Sequence, residues 1–307
     1  MPHSIALVGI GKIARDQHIP AIAGNADFTL SATASRNAEV GGITAYRSLA
    51  DLLQAAPDIT CVSLATPPQV RYGDARRALE AGRHVMLEKP PGATLSEVQA
   101  LERLAAEKGV TLFATWHSRH AASVAATRDW LADRKIQRLH IDWREDVRHW
   151  HPGQDWIWEA GGLGVFDPGI NALSVLTAIL PEPVHLQKAT LSFPANRDTP
   201  VAVDLTFEPL GDAPITAAFD WLEQGPPKWN IHIDTDAGNA ILSEGGARLT
   251  IDGHETSAGE DQEYPALYAR FAELIAAGTR EVDLSPMTHV ADAFTLGRRV
   301  ITAPFEW

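Results

Sequence analysis

Residues 5–18, IALVGIGKIARDQH, pass from an unbroken apolar run through two glycines into a helical pattern, and few folds accommodate that order. The same alternation continues to residue 116. Strand-like runs fall at 4–8, 28–34, 43–46, 59–65, 84–88 and 111–115, with helical periods at 12–24, 48–55, 69–81 and 95–108. Apolar runs alternating with helices are βαβ units, which place parallel strands in one sheet and cover both of its faces. Thr94 and Glu97 fit a capping box, and Gly82 and Gly109 stand where helices should stop. Six strands opening on a glycine turn predict an α/β fold with a doubly wound parallel sheet.

After residue 116 the pattern changes. A helix over 121–133, a strand over 138–147, a Trp- and Gly-rich loop and a helix over 167–179 precede a series of strands from 184 to 253. Turn residues at Gly211, Gly225-Pro226, Gly238-Asn239 and Gly245-Gly246 suggest hairpins, hence an open, mostly antiparallel sheet in an α+β domain. Helices over 265–277 and 288–300 follow. We expect two domains, 1–118 and 119–307. At 307 residues there is ample core for both without disulfides or metals. The single cysteine, Cys61, lies in an apolar run, which suits a reducing compartment. No signal-like segment and no apolar run of membrane-spanning length occurs, so a cytoplasmic protein is expected. A net charge of −13 without a Lys/Arg stripe argues against nucleic acid and anionic membranes as partners. A small-molecule enzyme is the reading that remains.

Gly9, Gly11 and Ala14 form GxGxxA directly after the first strand. Glycines there permit a tight turn and close approach to a pyrophosphate, which a helix N-terminus favours electrostatically. A purely structural turn is the alternative, but the strand–turn–helix setting favours a dinucleotide held by Gly9, Gly11, Lys12 and Ile13. At the end of strand 2, where an NAD site carries an acid for the ribose 2′-hydroxyl, this chain has Ser35 and Arg36. An arginine suits a 2′-phosphate, so NADP should be preferred and NAD also used. Arg36 stacked on adenine would accept either.

LATPPQ, with Thr66-Pro67, and HVMLEKPPG, with Glu88-Lys89-Pro90, follow strands 4 and 5 at the sheet edge where open α/β folds bind ligands. Pro90 permits a cis peptide after Lys89, aiming that side chain. GxGxxA, TPP and EKP, followed by a largely β second domain, resemble the Gfo/Idh/MocA oxidoreductases. Within them, EKPPGATL, ATWHSR and REDVRHWHPGQDWIWEAGGLGVFDPGINALS resemble the bacterial aldose 1-dehydrogenases. The resemblance implies a nicotinamide between the two domains, Lys89 working at the substrate carbon, and Thr66, Pro67 and Glu88 along the nicotinamide ribose. It implies substrate contacts for His117, Glu145, Trp150, His151, Asn171 and Trp229, and oxidation of D-galactose or L-arabinose at C1 to the aldonolactone.

Such a reaction needs a base for the C1 hydroxyl proton. Candidates are Asp167, which can equally be a helix N-cap, and Lys89, either as base or as a cation stabilising the alkoxide. Asn171, four residues on, shares a helix face with Asp167. The family often has histidine there, and asparagine cannot carry the proton, so no His–Asp relay is expected. His149, Trp156 and Trp158 belong to the same aromatic and polar cluster, since indole faces pack on the C–H side of a pyranose. His117 with His120, and His149 with His151, have metal-like spacing, but no cysteine or HExxH joins them and no metal is expected. The alternatives are a polyol or inositol dehydrogenase, or a non-catalytic NADP sensor on the same scaffold. The exposed face of the second sheet calls for a homodimer or larger assembly.

Overall fold

The computed structural model describes residues 2–307. It divides into two compact units, the described residues up to 117 with 262–284, and residues 118–261 with 285–307.

In the first unit, β1 (His3–Val8), β2 (Phe28–Ala34), β3 (Thr44–Tyr46), β4 (Cys61–Leu64), β5 (His84–Leu87) and β6 (Leu112–Ala114) form one sheet in the order β3-β2-β1-β4-β5-β6. Every pairing is parallel. The strand order reverses between β1 and β4, which opens a crevice at their carboxyl ends. β4 is buried along its whole length, as a strand covered on both faces must be. One face of the sheet carries α2 (Leu49–Ala55), α3 (Pro68–Glu80) and α4 (Leu95–Lys108), through Leu49, Leu52, Leu79 and Leu101 among others. Thr94 caps α4 as its sequence indicates, accepting from the Glu97 N–H at 3.3 Å, and Gly109 ends it in the left-handed conformation. The other face is covered by α1 (Ile19–Ala23) and by the helix Glu263–Ala277, whose Tyr264, Leu267, Tyr268, Phe271 and Leu274 pack on Ile5, Phe28, Cys61, Met86 and Phe113. Residues 279–284 then run beside β6, with the Ala114 N–H bonding Glu281 O at 2.9 Å.

The helix expected over 12–24 contains one π turn, Ala14–His18, which runs straight into α1. Pro20 offers no N–H to the carbonyl four residues back, so a wider turn relieves the ladder there. That turn carries His18, which is 1% exposed.

The second unit is built on a nine-stranded sheet. α5 (Val124–Leu131), β7 (Ile136–Arg144), α6 (Val147–Trp150) and α7 (Phe166–Ile179) precede β8 (Leu186–Pro194), β9 (Ala202–Phe207), β10 (Ile215–Asp220), β11 (Lys228–Thr235), β12 (Gly238–Ser243), β13 (Arg248–Ile251) and β14 (His254–Ala258). After α8, the helix Glu263–Ala277 already described in the first unit, come α9 (Ser285–Leu296) and β15 (Arg298–Thr302). The order is β14-β13-β12-β11-β7-β10-β9-β8-β15. Six of its eight pairings are antiparallel; β7–β10 and β8–β15 are parallel.

Three expectations need correction. Gly225-Pro226 closes no hairpin, because β11 pairs with β7 rather than with β10 before it. β14 extends the sheet through a turn at Asp252 and Gly253, both at positive φ. Its His-Glu-Thr-Ser-Ala sequence is mostly exposed and has no apolar alternation to mark it as a strand. The helix expected over 288–300 stops at Leu296, and Arg298–Thr302 forms β15 on the edge of β8, in keeping with its β-branched Val-Ile-Thr.

Candidate cofactor and substrate sites

In the first unit the glycine turn sits at the carboxyl end of β1. Gly9 has φ +88°, and its N–H bonds Ala34 O at 2.9 Å. A Cβ on Gly9 would stand 2.9 Å from Thr66 N and Cγ2 and 3.0 Å from Ala65 C, so the turn closes directly on the loop after β4. A Cβ on Gly11 would meet nothing within 4 Å. The packing of the chain does not require glycine at 11; an occupant lying against the helix start would. Beside it Ile13 is 39% exposed, and the largely exposed Lys12 pairs with Asp16. At the end of β2 the Ser35 N–H bonds Tyr46 O at 2.9 Å and Arg36 is exposed.

The loops after β4 and β5 are tied together by a residue that the sequence reading missed. Arg71, on α3 and 2% exposed, donates to Thr66 O at 3.0 Å through Nε and reaches Glu88 O and Pro90 O with Nη1. Burial, partly opposed by the Glu88 charge, pulls its pKa down to about 10. These bonds hold the backbone on both sides of half-buried Lys89, whose peptide to Pro90 is cis. Pro67, at the start of α3, is exposed.

Glu88 turns inward, 5% exposed. The Tyr264 hydroxyl donates to its Oε1, and His18 Nε2 lies 3.6 Å from the same oxygen. His18 Nδ1 is 2.8 Å from the Tyr268 hydroxyl, which donates to Ser63 Oγ at 3.3 Å. Burial by itself would raise the Glu88 carboxyl. The His18 imidazole, the charge of His117 and the Tyr264 hydroxyl outweigh it and hold the group well below the usual carboxylate range. Burial and the Glu88 charge push the Tyr264 phenol well above its ordinary value, so it stays a donor. His117 Nδ1 meets Glu263 Oε2 at 2.6 Å, and its ring stacks on Tyr264 at 5.4 Å. Burial opposes the charged imidazole, but Glu263 and Glu88 prevail over it and over Lys89, raising its pKa. Among the described residues, neither Thr66 Oγ1 nor Glu88 Oε2 has a hydrogen-bond partner, although both are buried at the carboxyl ends of β4 and β5. Ribose hydroxyls would satisfy two such atoms. The turn, Arg36 and these orphaned oxygens therefore fit a nicotinamide dinucleotide.

In the second unit Asp167 lies in the first turn of α7. Val165 occupies the N-cap position, so Asp167 is not the cap; its Oδ2 lies 3.3 Å from His151 Nε2. Asparagine at 171 led to the expectation of no His–Asp relay, yet this carboxylate does meet an imidazole. The histidine is supplied by the turn after α6 rather than from position 171, where Asn171 is half-buried. Glu145 at the end of β7 is 5% exposed, and its two oxygens accept the indole N–H groups of Trp221 at 3.1 Å and Trp229 at 2.8 Å. Trp229 lies 5.4 Å from Trp150, which is 41% exposed and edge-on to His149 at 4.8 Å. Trp156 is half-buried. Trp158 is core rather than a sugar-facing platform: it is 1% exposed and packs between Trp221 and Phe305. Trp221, fully buried against His151 at 5.3 Å, escaped the sequence reading because an isolated tryptophan in a strand pattern looks like ordinary core. Among the described residues no group of three or more His, Cys, Asp or Glu could hold a metal ion. Among the described residues no helix is long and apolar enough to cross a membrane.

Comparison with known proteins agrees with this fold. Residues 3–115 match the family described as oxidoreductase family, NAD-binding Rossmann fold. The chain is 42% identical over 305 residues to a galactose 1-dehydrogenase of Pseudomonas fluorescens, covering 99% of each. A crystal structure of a D-galactose-1-dehydrogenase from Rhizobium etli is 56% identical and superposes with a TM-score of 0.97 over 99% of this chain and 98% of that one. A 3-ketoreductase from Actinomadura kijaniata in complex with NADP and TDP-benzene, only 18% identical, shares the fold with a TM-score of 0.85 over 98% of this chain and all of that one. With its doubly wound nucleotide unit, its mixed-sheet unit and these full-length similarities, the chain belongs to the Gfo/Idh/MocA oxidoreductase family.

Proposed function

We propose that this oxidoreductase is an NAD(P)-dependent aldose 1-dehydrogenase that oxidises D-galactose, and by the same pocket L-arabinose, at C1 to the aldonolactone. The observation that carries the reading is the Asp167–His151 contact beside the Trp150–Trp229–Glu145 group, in a chain 56% identical to a D-galactose-1-dehydrogenase. The two sugars share ring configuration from C1 to C4, and a single missing hydroxymethyl is discriminated by only about 1–3 kcal/mol.

The nicotinamide, when bound, accepts the C1 hydride. Gly9, Gly11, Lys12 and Ile13 hold its pyrophosphate, and Ser35 and Arg36 take the adenosine ribose with a preference for the 2′-phosphate of NADP. Thr66, Pro67 and Glu88 line the nicotinamide ribose. Asp167 Oδ accepts the C1 hydroxyl proton, and His151 holds that carboxylate in place. Lys89 donates to the oxygen on which negative charge develops. Trp150 and Trp229 offer indole faces to the C–H side of the ring, while His117, Glu145 and Asn171 read hydroxyls. The protein works in the cytoplasm as a homodimer or larger assembly. NAD(P)H production across a panel of aldopyranoses, with chemical detection of the lactone, tests the reading. Reduction of NADP with D-galactose and L-arabinose supports it, and turnover of polyols alone would replace it.

A further inference from the structure

Residues 303–307 lie along the segment that carries His151. The Phe305 backbone is pinned from both sides by Asn196, whose Oδ1 accepts the Phe305 N–H at 2.8 Å and whose Nδ2 donates to Phe305 O at 2.9 Å. The Phe305 ring is 3% exposed and stands 4.7 Å from Trp158. Trp158 stands 5.2 Å from Trp221, and Trp221 stands 5.3 Å from His151. Four rings in succession thus end on the imidazole that meets Asp167 at 3.3 Å. The same five residues grip the segment at two other points. Arg148, on α6, places its guanidinium 4.7 Å over the Phe305 ring and donates to Glu306 O at 2.8 Å. The Trp307 indole N–H donates to Asp155 Oδ1 at 2.8 Å, at the start of the 3-10 turn Asp155–Trp158.

These contacts bracket the loop 151–154, which has His151 at one end. A short loop held at both ends keeps its side chains in register, whereas one released at either end samples more orientations.

We propose that Phe305 and Trp307 are positioning residues for sugar oxidation: with Arg148 and the Trp158–Trp221 pair, they strap the 147–158 segment and thereby seat His151 on Asp167. The inference rests on the reading of Asp167 as the group at the sugar hydroxyl. Neither residue touches substrate. Their effect passes through the loop, and it should appear in the sugar kinetics and leave cofactor binding alone.

The test compares the native protein with Phe305→Leu, which keeps apolar bulk but removes the ring face, and Trp307→Ala, which alters a residue 42% exposed and so spares the core. NADP affinity is measured by fluorescence titration, and kcat and KM for D-galactose by NADPH formation. We expect kcat/KM for the sugar to fall by about ten- to a hundredfold in Phe305→Leu, in line with the cost of a small misplacement of a catalytic group. Trp307→Ala should lose less, and NADP affinity should be unchanged in both. The loss should fall on kcat rather than on KM for the sugar, because the strap orients His151 against Asp167 and holds no substrate group itself. Undiminished sugar kinetics in both variants would overturn the proposal, as would a loss of NADP affinity in step with activity. If Phe305→Leu does not fold, Trp307→Ala decides alone. A native protein that oxidises no aldopyranose removes the functional reading itself, a result separable from failure of the strap.

Discussion

The two glycines of the turn should fail in different ways when each is replaced by alanine. At Gly9 the backbone holds φ +88°, which costs a residue with a Cβ about 1–2 kcal/mol. The new methyl would also stand 2.9–3.0 Å from Thr66 and the Ala65 carbonyl carbon, several tenths of an ångström inside ordinary contact. Two of those three atoms are backbone, so relief requires the loop after β4 to move, at about 1–3 kcal/mol of overpacking. The sum, about 2–5 kcal/mol, corresponds to a fall of about 5–15 °C in Tm for a unit of this size. At Gly11 the methyl meets nothing within 4 Å, and the Tm of the cofactor-free protein should be unchanged. There the methyl projects where a pyrophosphate would lie against the helix start, so NADP affinity should drop at least about tenfold. Differential scanning fluorimetry without cofactor, paired with NADP titration, separates the two outcomes. A stable Gly9→Ala protein, or Gly11→Ala protein that binds NADP normally, would refute the reasoning.

Arg36→Ala should raise KM for NADP about ten- to a hundredfold, the worth of a charge-assisted bond, and leave KM for NAD nearly unchanged; equal loss with both cofactors would indicate stacking only. Arg71→Met leaves the Thr66, Glu88 and Pro90 carbonyls unpaired at about 1–3 kcal/mol each, against about 3 kcal/mol recovered by no longer burying a charge. Chemical denaturation should therefore show a net loss of a few kcal/mol, with kcat falling as the backbone around Lys89 loosens. His117 titrates above its ordinary value, so its pair with Glu263 stabilises fully at mildly acidic pH and is lost as pH rises through the raised pKa. Glu263→Gln should accordingly be less stable than the native protein by about 1.5–3 kcal/mol at acidic pH and converge on it at alkaline pH, as read from Tm against pH.

Local signals carried most of the first sheet. The strand–glycine–helix sequence at 5–18, the Thr94 cap and the Gly109 stop each act within a few residues, and the structure forms β1, α4 and their termini where those signals stand. Long-range pairing was harder to read. Nothing in Lys228–Thr235 says that it will choose β7 over β10, since both neighbours present alternating apolar faces. The same limit hides where the expected helix α8 docks, since its Tyr264, Tyr268 and Phe271 pack beneath a sheet that begins some 260 residues earlier in the chain. The candidate residues divide in the same way. Lys89, Asp167 and the glycines are visible in short motifs. His151 meeting Asp167, Arg71 reaching the Glu88 and Pro90 carbonyls and Tyr264 donating to Glu88 are contacts between separate segments, and no spacing announces them. The histidine that meets Asp167 stands 16 residues before it, and only folding brings the turn after α6 to α7.

The most direct measurement is the rate of NADPH formation from D-galactose by the native protein and by Asp167→Asn, with NADP affinity determined for both. Removing a positioned base while keeping its shape should lower kcat by about 10²–10⁴-fold and leave NADP binding intact. A native protein inert toward D-galactose, or an Asp167→Asn protein that oxidises it at the native rate, would contradict the assignment of that carboxylate to the C1 hydroxyl proton.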